Sequence, residues 1–291
     1  MSWQQLEVKT TKALQETIEL QLVDFGALSI VLEDAADQPI LEPALYQTPV
    51  WDNLKICALF DAHVDLNPLL LLLEKNHADQ AVFEITSVKD QDWVSATKDQ
   101  FKPIQVTDNL IICPSWQQHD ETLSVKLVLD PGLAFGTGSH PTTSLCLQQL
   151  DQINLKDKTL IDFGCGSGIL GIAAILLGAK SVVAIDNDPQ AIEATKANAR
   201  KNHINQAHFT VSLASTVSNL KADIIVANVL ASPLISLSTQ ISDSLKEEGQ
   251  LILSGILKEQ VDPVKLAYPL INFNHIQLEQ DWACLIGTKK P

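Results

Sequence analysis

The chain has 291 residues, 46% of them hydrophobic, a formal charge of −15 at pH 7, and a single arginine, Arg200, among its 20 basic residues. That length carries one large domain or two modest ones, with enough apolar sequence for a sizeable core. Phosphate and base-edge recognition draw on clustered lysine and arginine, so a nucleic-acid substrate is disfavoured; a basic protein partner suits an acidic surface because opposite charge speeds encounter, although an acidic shell also serves plain solubility.

Residues 1–90 predict a small unit of mixed type. Leu6-Glu7-Val8 reads as a strand, and 11–24 as a helix with Leu14, Ile18 and Leu22 at helical spacing. Gly26 punctuates before a second strand at 27–32, and Pro39, Pro43 and Pro49 mark a turn-rich stretch. A strand at 54–60 follows, then a helix to about Asn76 with Asp65 or Asn67 as its cap and Pro68 in its first turn, then a strand at 81–88. The order β-α-β-β-α-β is that of a ferredoxin-like α+β domain. Nothing in it looks catalytic, so it is expected to recognise a substrate, with a purely structural add-on as the bland alternative. Residues 91–103, ending in Phe101-Lys102-Pro103, read as a polar linker.

Residues 104–291 predict a second domain. A strand pair at 110–113 and 124–129 leads into the glycine-rich segment 132–138, and a helix starts near Pro141-Thr142-Thr143. Strands at 159–163, 181–185, 208–212, 223–227 and 250–254 then alternate with helices. That alternation predicts a mostly parallel sheet covered on both faces. The tail, 271–278 and 284–288, has no helix between its strands, which predicts a hairpin and an antiparallel strand at the sheet edge. The five cysteines are scattered without a Cys-x-x-Cys pair, arguing against a disulfide framework and against a metal site. Residues 3–8 have no signal-peptide core, and 69–73 is too short an apolar run for a bilayer, so a cytoplasmic location is expected.

Chemistry concentrates at Leu160-Ile161-Asp162-Phe163-Gly164-Cys165-Gly166-Ser167-Gly168, an apolar strand running into a glycine turn and then an apolar helix. Such a turn brings a nucleotide-like ligand close to bare backbone. A dinucleotide fingerprint would place its third glycine where Ile169 stands, so a nicotinamide oxidoreductase is disfavoured. An adenosine cofactor with a cationic tail fits better, and S-adenosylmethionine answers that description. Gly171 is expected to allow close helix–strand packing. The next strand ends in Asp186, placed to accept hydrogen bonds from ribose hydroxyls. Asp188-Pro189 already supplies a helix cap and first-turn proline, which leaves Asp186 available for a ligand.

The strand 223–227 ends in Asn228, whose carbonyl can accept from a substrate amine and aim its lone pair at a methyl carbon; the alternative is a turn residue bonded to its own backbone. The segment Asp130 to Thr143 holds Gly132, Gly136 and Gly138 and reads as a mobile loop over a ligand, not a P-loop. Ser139, Thr142 or Thr143 is expected to cap the helix that follows. His140 is either a general base or a helix-start residue of structural role, and the second is favoured.

Asp162-x-Gly164-x-Gly166-x-Gly168 with Asp186 resembles the class I S-adenosylmethionine-dependent methyltransferases. The segment Asp130 to Leu147, together with Asn228-Val229-Leu230-x-x-Pro233-Leu234, Ser254-Gly255-Ile256-Leu257 and Ile112-Cys113-Pro114-Ser115-Trp116, resembles the bacterial ribosomal protein L11 methyltransferases (PrmA) over essentially the whole chain. The resemblance implies a seven-stranded, mostly parallel Rossmann-like methyltransferase sheet behind an N-terminal ferredoxin-like α+β domain. It implies a protein N-methyltransferase acting on the N-terminal amine and lysine side chains of that ribosomal protein. Carried over by position, the cofactor residues are Thr143, Gly164, Asp186 and Asn228, with Asp162 and Gly166 from the turn, and Asn228 is the catalytic residue. One departure is that Ser95-Ala96-Thr97 stands where the family usually has a second tryptophan after the Asp-Trp pair, here Asp92-Trp93. A methyltransferase for another protein, RNA or a small amine is the competing reading; the Asn-Pro-Pro-aromatic motif of amino-adenine and glutamine methylating enzymes is replaced here by Asn228-Val229-Leu230-Ala231.

Overall fold

The structure is a computed structural model, and it describes residues 2–36, 38, 49–89, 102–117, 125–130 and 138–291. The chain divides into two compact units, Met1–Lys98 and Asp99–Pro291. Most of the linker at 91–103 and the glycines at 132 and 136 lie outside the described residues. Among the described residues no helix is long and apolar enough to cross a membrane.

The first unit is built from β1 (Ser2–Thr11), α1 (Gln15–Asp24), β2 (Ser29–Asp34), β3 (Asn53–Asp61), α2 (Asn67–His77) and β4 (Val82–Lys89). Its sheet runs β2-β3-β1-β4, and every pairing is antiparallel. Leu6 and Val8 of β1 and Leu54, Ile56, Ala58 and Phe60 of β3 alternate onto one face. Ile18 and Leu22 of α1 and Leu69 and Leu73 of α2, each pair four apart on one helical stripe, close over it to form the core. Asp65 Oδ1 accepts from the Asn67 N–H at 3.1 Å just ahead of α2, whose N-cap is Leu66 rather than either polar residue.

The second unit opens with a small sheet of β5 (Ile104–Gln105), β6 (Leu110–Cys113) and β7 (Val125–Val128), in which β6 and β7 are parallel. The large sheet follows α3 (Pro141–Gln152). It is made by β8 (Thr159–Phe163), α4 (Ile169–Leu176), β9 (Ser181–Asp186), α5 (Pro189–Lys201), β10 (Phe209–Leu213), β11 (Ala222–Asn228), α6 (Ala231–Ser236), α7 (Ser238–Ser244), β12 (Leu245–Leu257), α8 (Val261–Leu266), β13 (Ile271–Glu279) and β14 (Trp282–Lys289). The strand order is β10-β9-β8-β11-β12-β14-β13. Neighbours from β10 to β12 pair in parallel, and two apolar clusters cover the two faces of the sheet.

The tail forms the expected hairpin at the sheet edge, and its strands enter out of chain order: β13 takes the edge and pairs antiparallel with β14, which is in turn antiparallel to β12. Burial explains the choice. β14 buries Ala283, Cys284 and Leu285 completely, whereas β13 exposes Asn272, Asn274 and His275. The apolar strand occupies the doubly paired position and the polar one faces solvent, where unpaired backbone groups can meet water. The insertion has a consequence for function, because it brings the first residue of β14 to the carboxyl edge of the parallel strands.

The order reverses between β8 and β11, so a crevice opens there beyond the carboxyl ends of the strands, the place where open α/β sheets take their ligands.

Candidate active site

The turn between β8 and α4 is tied down by two elements, β9 and α5. The N–H groups of Gly164 and Cys165 both donate to the Ile185 carbonyl, at 2.8 and 3.0 Å. Thr195 Oγ1 on α5 donates to the Gly166 carbonyl at 3.0 Å, and Asn198 Nδ2 donates to that of Ser167 at 2.9 Å. Two glycines are required by contact as well as by backbone angle. Gly164 has φ 74°, and a Cβ there would lie 2.4 Å from Val229 Cγ1; Gly168 has φ 79°, and its Cβ would lie 2.6 Å from Thr195 Cγ2. The turn is thus a rigid shelf held from behind by α5.

In front of the shelf lies a cavity of about 650 Å3, within the range of ligand sites. Its wall follows the carboxyl edge strand by strand: Ala214 beyond β10, Asp186 on β9, Gly164 after β8, Asn228 on β11, Gly255 on β12 and Trp282 on β14. Thr143 and His140 close it from the start of α3. Of the residues singled out in the sequence, Thr143, Gly164, Gly166, Asp186 and Asn228 all line this cavity. Residues far apart in the chain meet here because the strand tips share one edge.

Asp186 makes two backbone contacts. Its Oδ2 accepts from the Gly166 N–H at 2.9 Å and its Oδ1 from the Asp188 N–H at 3.0 Å. Each oxygen keeps a further lone pair for a ligand. Asp188 caps α5 by accepting from the Gln190 N–H at 2.8 Å, so the cap and the strand-tip acid are separate residues.

Asn228 is fixed by a side chain rather than by its own turn. Nδ2 donates to Thr143 Oγ1 at 3.2 Å. That contact assigns Oδ1 as the remaining acceptor, and this buried atom has no hydrogen-bond partner among the described residues. A buried carbonyl without a donor costs on the order of 1–3 kcal/mol. A ligand carrying an N–H at this point would remove that cost.

Asp162 does not line the cavity. It is buried beneath the turn, where Oδ2 accepts from the Gly171 N–H at 2.8 Å and Oδ1 has no partner among the described residues. Burial pushes its carboxyl up to about 7, the Gly171 N–H opposes that rise, and the charge of Asp186 adds to it. The position is that of a brace between strand and helix. Gly171 matters to the same contact, since a Cβ there would stand 3.0 Å from Asp162 Oδ2.

The helix cap falls elsewhere than expected. His140 is the N-cap of α3, its Nδ1 accepting from the Thr142 N–H at 3.3 Å and lying 2.8 Å from Thr142 Oγ1, while Thr142 and Thr143 are buried within the first turn. Burial lowers the basicity of the ring, against a smaller opposing effect of Glu279. Nδ1 is therefore committed to the helix cap. The His140 ring also meets that of Trp282 edge to face, with centroids 4.8 Å apart. Trp282 escaped the sequence reading. The available signal was an aromatic residue at the start of a strand in a terminal hairpin, but its place at the site depends on the insertion of β14.

Comparison with known proteins gives one family. The family model described as ribosomal protein L11 methyltransferase (PrmA) matches residues 2–290. A ribosomal protein L11 methyltransferase of Marinomonas sp. is 46% identical, covering 99% of each chain. One of Teredinibacter turnerae is 43% identical, over 100% of this chain and 98% of its own. Among solved structures, ribosomal protein L11 methylase from Lactobacillus delbrueckii subsp. bulgaricus matches with a TM-score of 0.61 at 34% identity, over 66% of this chain and 100% of its own.

Proposed function

The chain belongs to the ribosomal protein L11 methyltransferase family, whose model spans nearly all of it, and from that premise we propose that it methylates amino groups of ribosomal protein L11. S-adenosylmethionine is the methyl donor, and when bound it supplies an electrophilic methyl on a sulfonium that departs as a neutral thioether. No general acid is needed for such a leaving group.

The residues present fit that cofactor. Asp186 would take the ribose hydroxyls, the Gly164–Gly166 backbone would lie against the nucleoside and tail, and Thr143 would hold Asn228 in register. Asp162 would act by bracing the turn from below. The acceptor must be a neutral amine, although a lysine amine has an ordinary pKa near 10.4. The apolar wall of Val229, Leu230 and Pro233 beside Asn228 disfavours the charged form. Asn228 Oδ1 would then accept an N–H from the amine and turn its lone pair toward the methyl carbon. Positioning supplies most of the rate. The observation that carries this reading is the orphaned Oδ1 of Asn228.

The N-terminal unit, spanning Met1–Lys98, is the substrate-recognition domain in this reading. Its partner is a basic protein, met by a chain of net charge −15 without nucleic-acid readout, in the cytoplasm. Incubation with radiolabelled S-adenosylmethionine and total ribosomal proteins tests the proposal. Label confined to L11 supports it. Label on another protein, or on RNA, moves the reading to a different acceptor.

A further inference from the structure

The strand order places three groups in a line along the sheet edge. Asn228 on β11 stands between Asp186, two strands away through β8, and Trp282, two strands away through β12. At the usual ladder spacing each gap is about 10 Å. Trp282 pairs with Leu257, three residues past Ser254, the partner of Asn228, so it stands farther beyond the carboxyl edge than Asn228 does. All three line the one cavity.

Displacement at a methyl carbon requires nucleophile, carbon and leaving sulfur in line. A cofactor whose ribose is held at Asp186 and whose methyl reaches Asn228 uses the β9–β11 half of the cavity. The nucleophile must then arrive from the opposite half, which is walled by Trp282 and His140. We propose that Trp282 is a specificity-determining residue of the acceptor site: its indole holds the stem and nitrogen of the incoming amine, and the T-shaped contact with His140, centroids 4.8 Å apart, helps to fix the ring. The inference rests on the methyltransferase reading above and deepens it.

The chemistry of the pair suits that task. An indole face attracts an ammonium and packs against methylenes equally well, so it accepts the amine both before and after it gains methyl groups. Each methyl transferred leaves an ammonium, which must release a proton to solvent before the next transfer, so the neutral amine then carries one N–H fewer and more apolar surface. An amine with fewer N–H groups depends less on Asn228 Oδ1 and more on the indole. His140 does not repel the amine, because its Nδ1 is occupied as the acceptor of the α3 cap and burial disfavours the charged ring. Trp282 therefore governs how far successive methylation proceeds.

The test uses the full chain with Trp282→Ala, Trp282→Leu and Trp282→Phe. Cofactor affinity is read by calorimetry without acceptor, and acceptor KM and the mono-, di- and trimethyl ratio are read by mass spectrometry on purified ribosomal protein L11. The expected result is a cofactor Kd within about twofold of wild type, with acceptor KM raised on the order of tenfold in Trp282→Ala and products shifted toward fewer methyls; Trp282→Phe keeps most of the wild-type behaviour. If Trp282→Ala does not fold, as read by its melting curve, Trp282→Leu decides in its place. A cofactor Kd raised about as much as the acceptor KM, or an unchanged KM and methyl ratio, overturns the inference. Failure of the wild type to methylate the ribosomal protein overturns the underlying reading instead.

Discussion

The side-chain amide of Asn228 donates to Thr143 Oγ1 at 3.2 Å, which leaves its buried Oδ1 without a donor in the described structure. One hydroxyl on α3 thereby decides which end of the amide keeps a free acceptor in the cavity. Asn228→Ala should lower kcat by roughly 100-fold, the scale for removing one preorganised polar group, with a much smaller change in cofactor Kd. Thr143→Val should cost about tenfold in kcat, since the amide is no longer held in one orientation. Single-turnover rates beside calorimetric affinities check both, and a wild-type rate in Asn228→Ala removes its catalytic role.

Asp186 joins the ligand side of the cavity to the glycine turn through Gly166. Removing a charged acceptor of two hydroxyls costs on the order of 1.5–3 kcal/mol per bond. With two such bonds lost, Asp186→Ala should raise cofactor Kd by about 100–10,000-fold while kcat at saturating cofactor changes little. Equilibrium titration measures this, and unchanged affinity refutes the assignment.

Burial pushes the Asp162 carboxyl up to about 7 in the folded protein, against about 3.9 in an unfolded chain. Below the unfolded value both states carry the proton. Between the two values only the folded state does, so stability falls as pH rises from about 4 to 7 and then levels off. The full loss is about 4 kcal/mol at the usual 1.36 kcal/mol per unit. Asp162→Asn keeps an acceptor for the Gly171 N–H and has no proton to lose. Its denaturation midpoint should fall less steeply over that range than the wild-type midpoint does; parallel curves would show that Asp162 is not the titrating group.

Gly171 sits in α4, where alanine is the better helix former by about 1 kcal/mol. The added methyl would, however, lie 3.0 Å from Asp162 Oδ2, 3.1 Å from Val182 Cγ1 and 3.2 Å from Phe209 Cε2. Overpacking of a tight core costs about 1–3 kcal/mol, and the Asp162 contact is itself a hydrogen-bonded one. Gly171→Ala should lower Tm by several degrees, as a thermal melt would show; a rise would mean the strand and helix separate easily.

The glycine turn was legible because its requirements are local. Positive φ at consecutive glycines, an apolar strand before and an apolar helix after are properties of adjacent residues. The same holds for the two periodicities that mark helices and strands, and for the proline and aspartate at the start of α5. Asp186 and Asn228 were legible for a related reason, being lone polar residues at the ends of buried strands. His140 shows where local reasoning fell short, since three hydroxyl residues compete for the cap and only the turn of the chain assigns it to the imidazole.

Composition and local pattern by themselves determined the α/β class, the glycine shelf, the strand-tip acid and amide, and the cofactor they suit, because each depends on backbone conformation or burial within a few residues. Tertiary structure alone decided that β14 enters between β12 and β13, that Thr143 orients Asn228, that Asp162 faces α4 rather than the cavity, and that Trp282 reaches the carboxyl edge. Those outcomes turn on which strands compete best for burial and on contacts between residues as far apart as Thr143 and Asn228, energies that no short window of sequence contains.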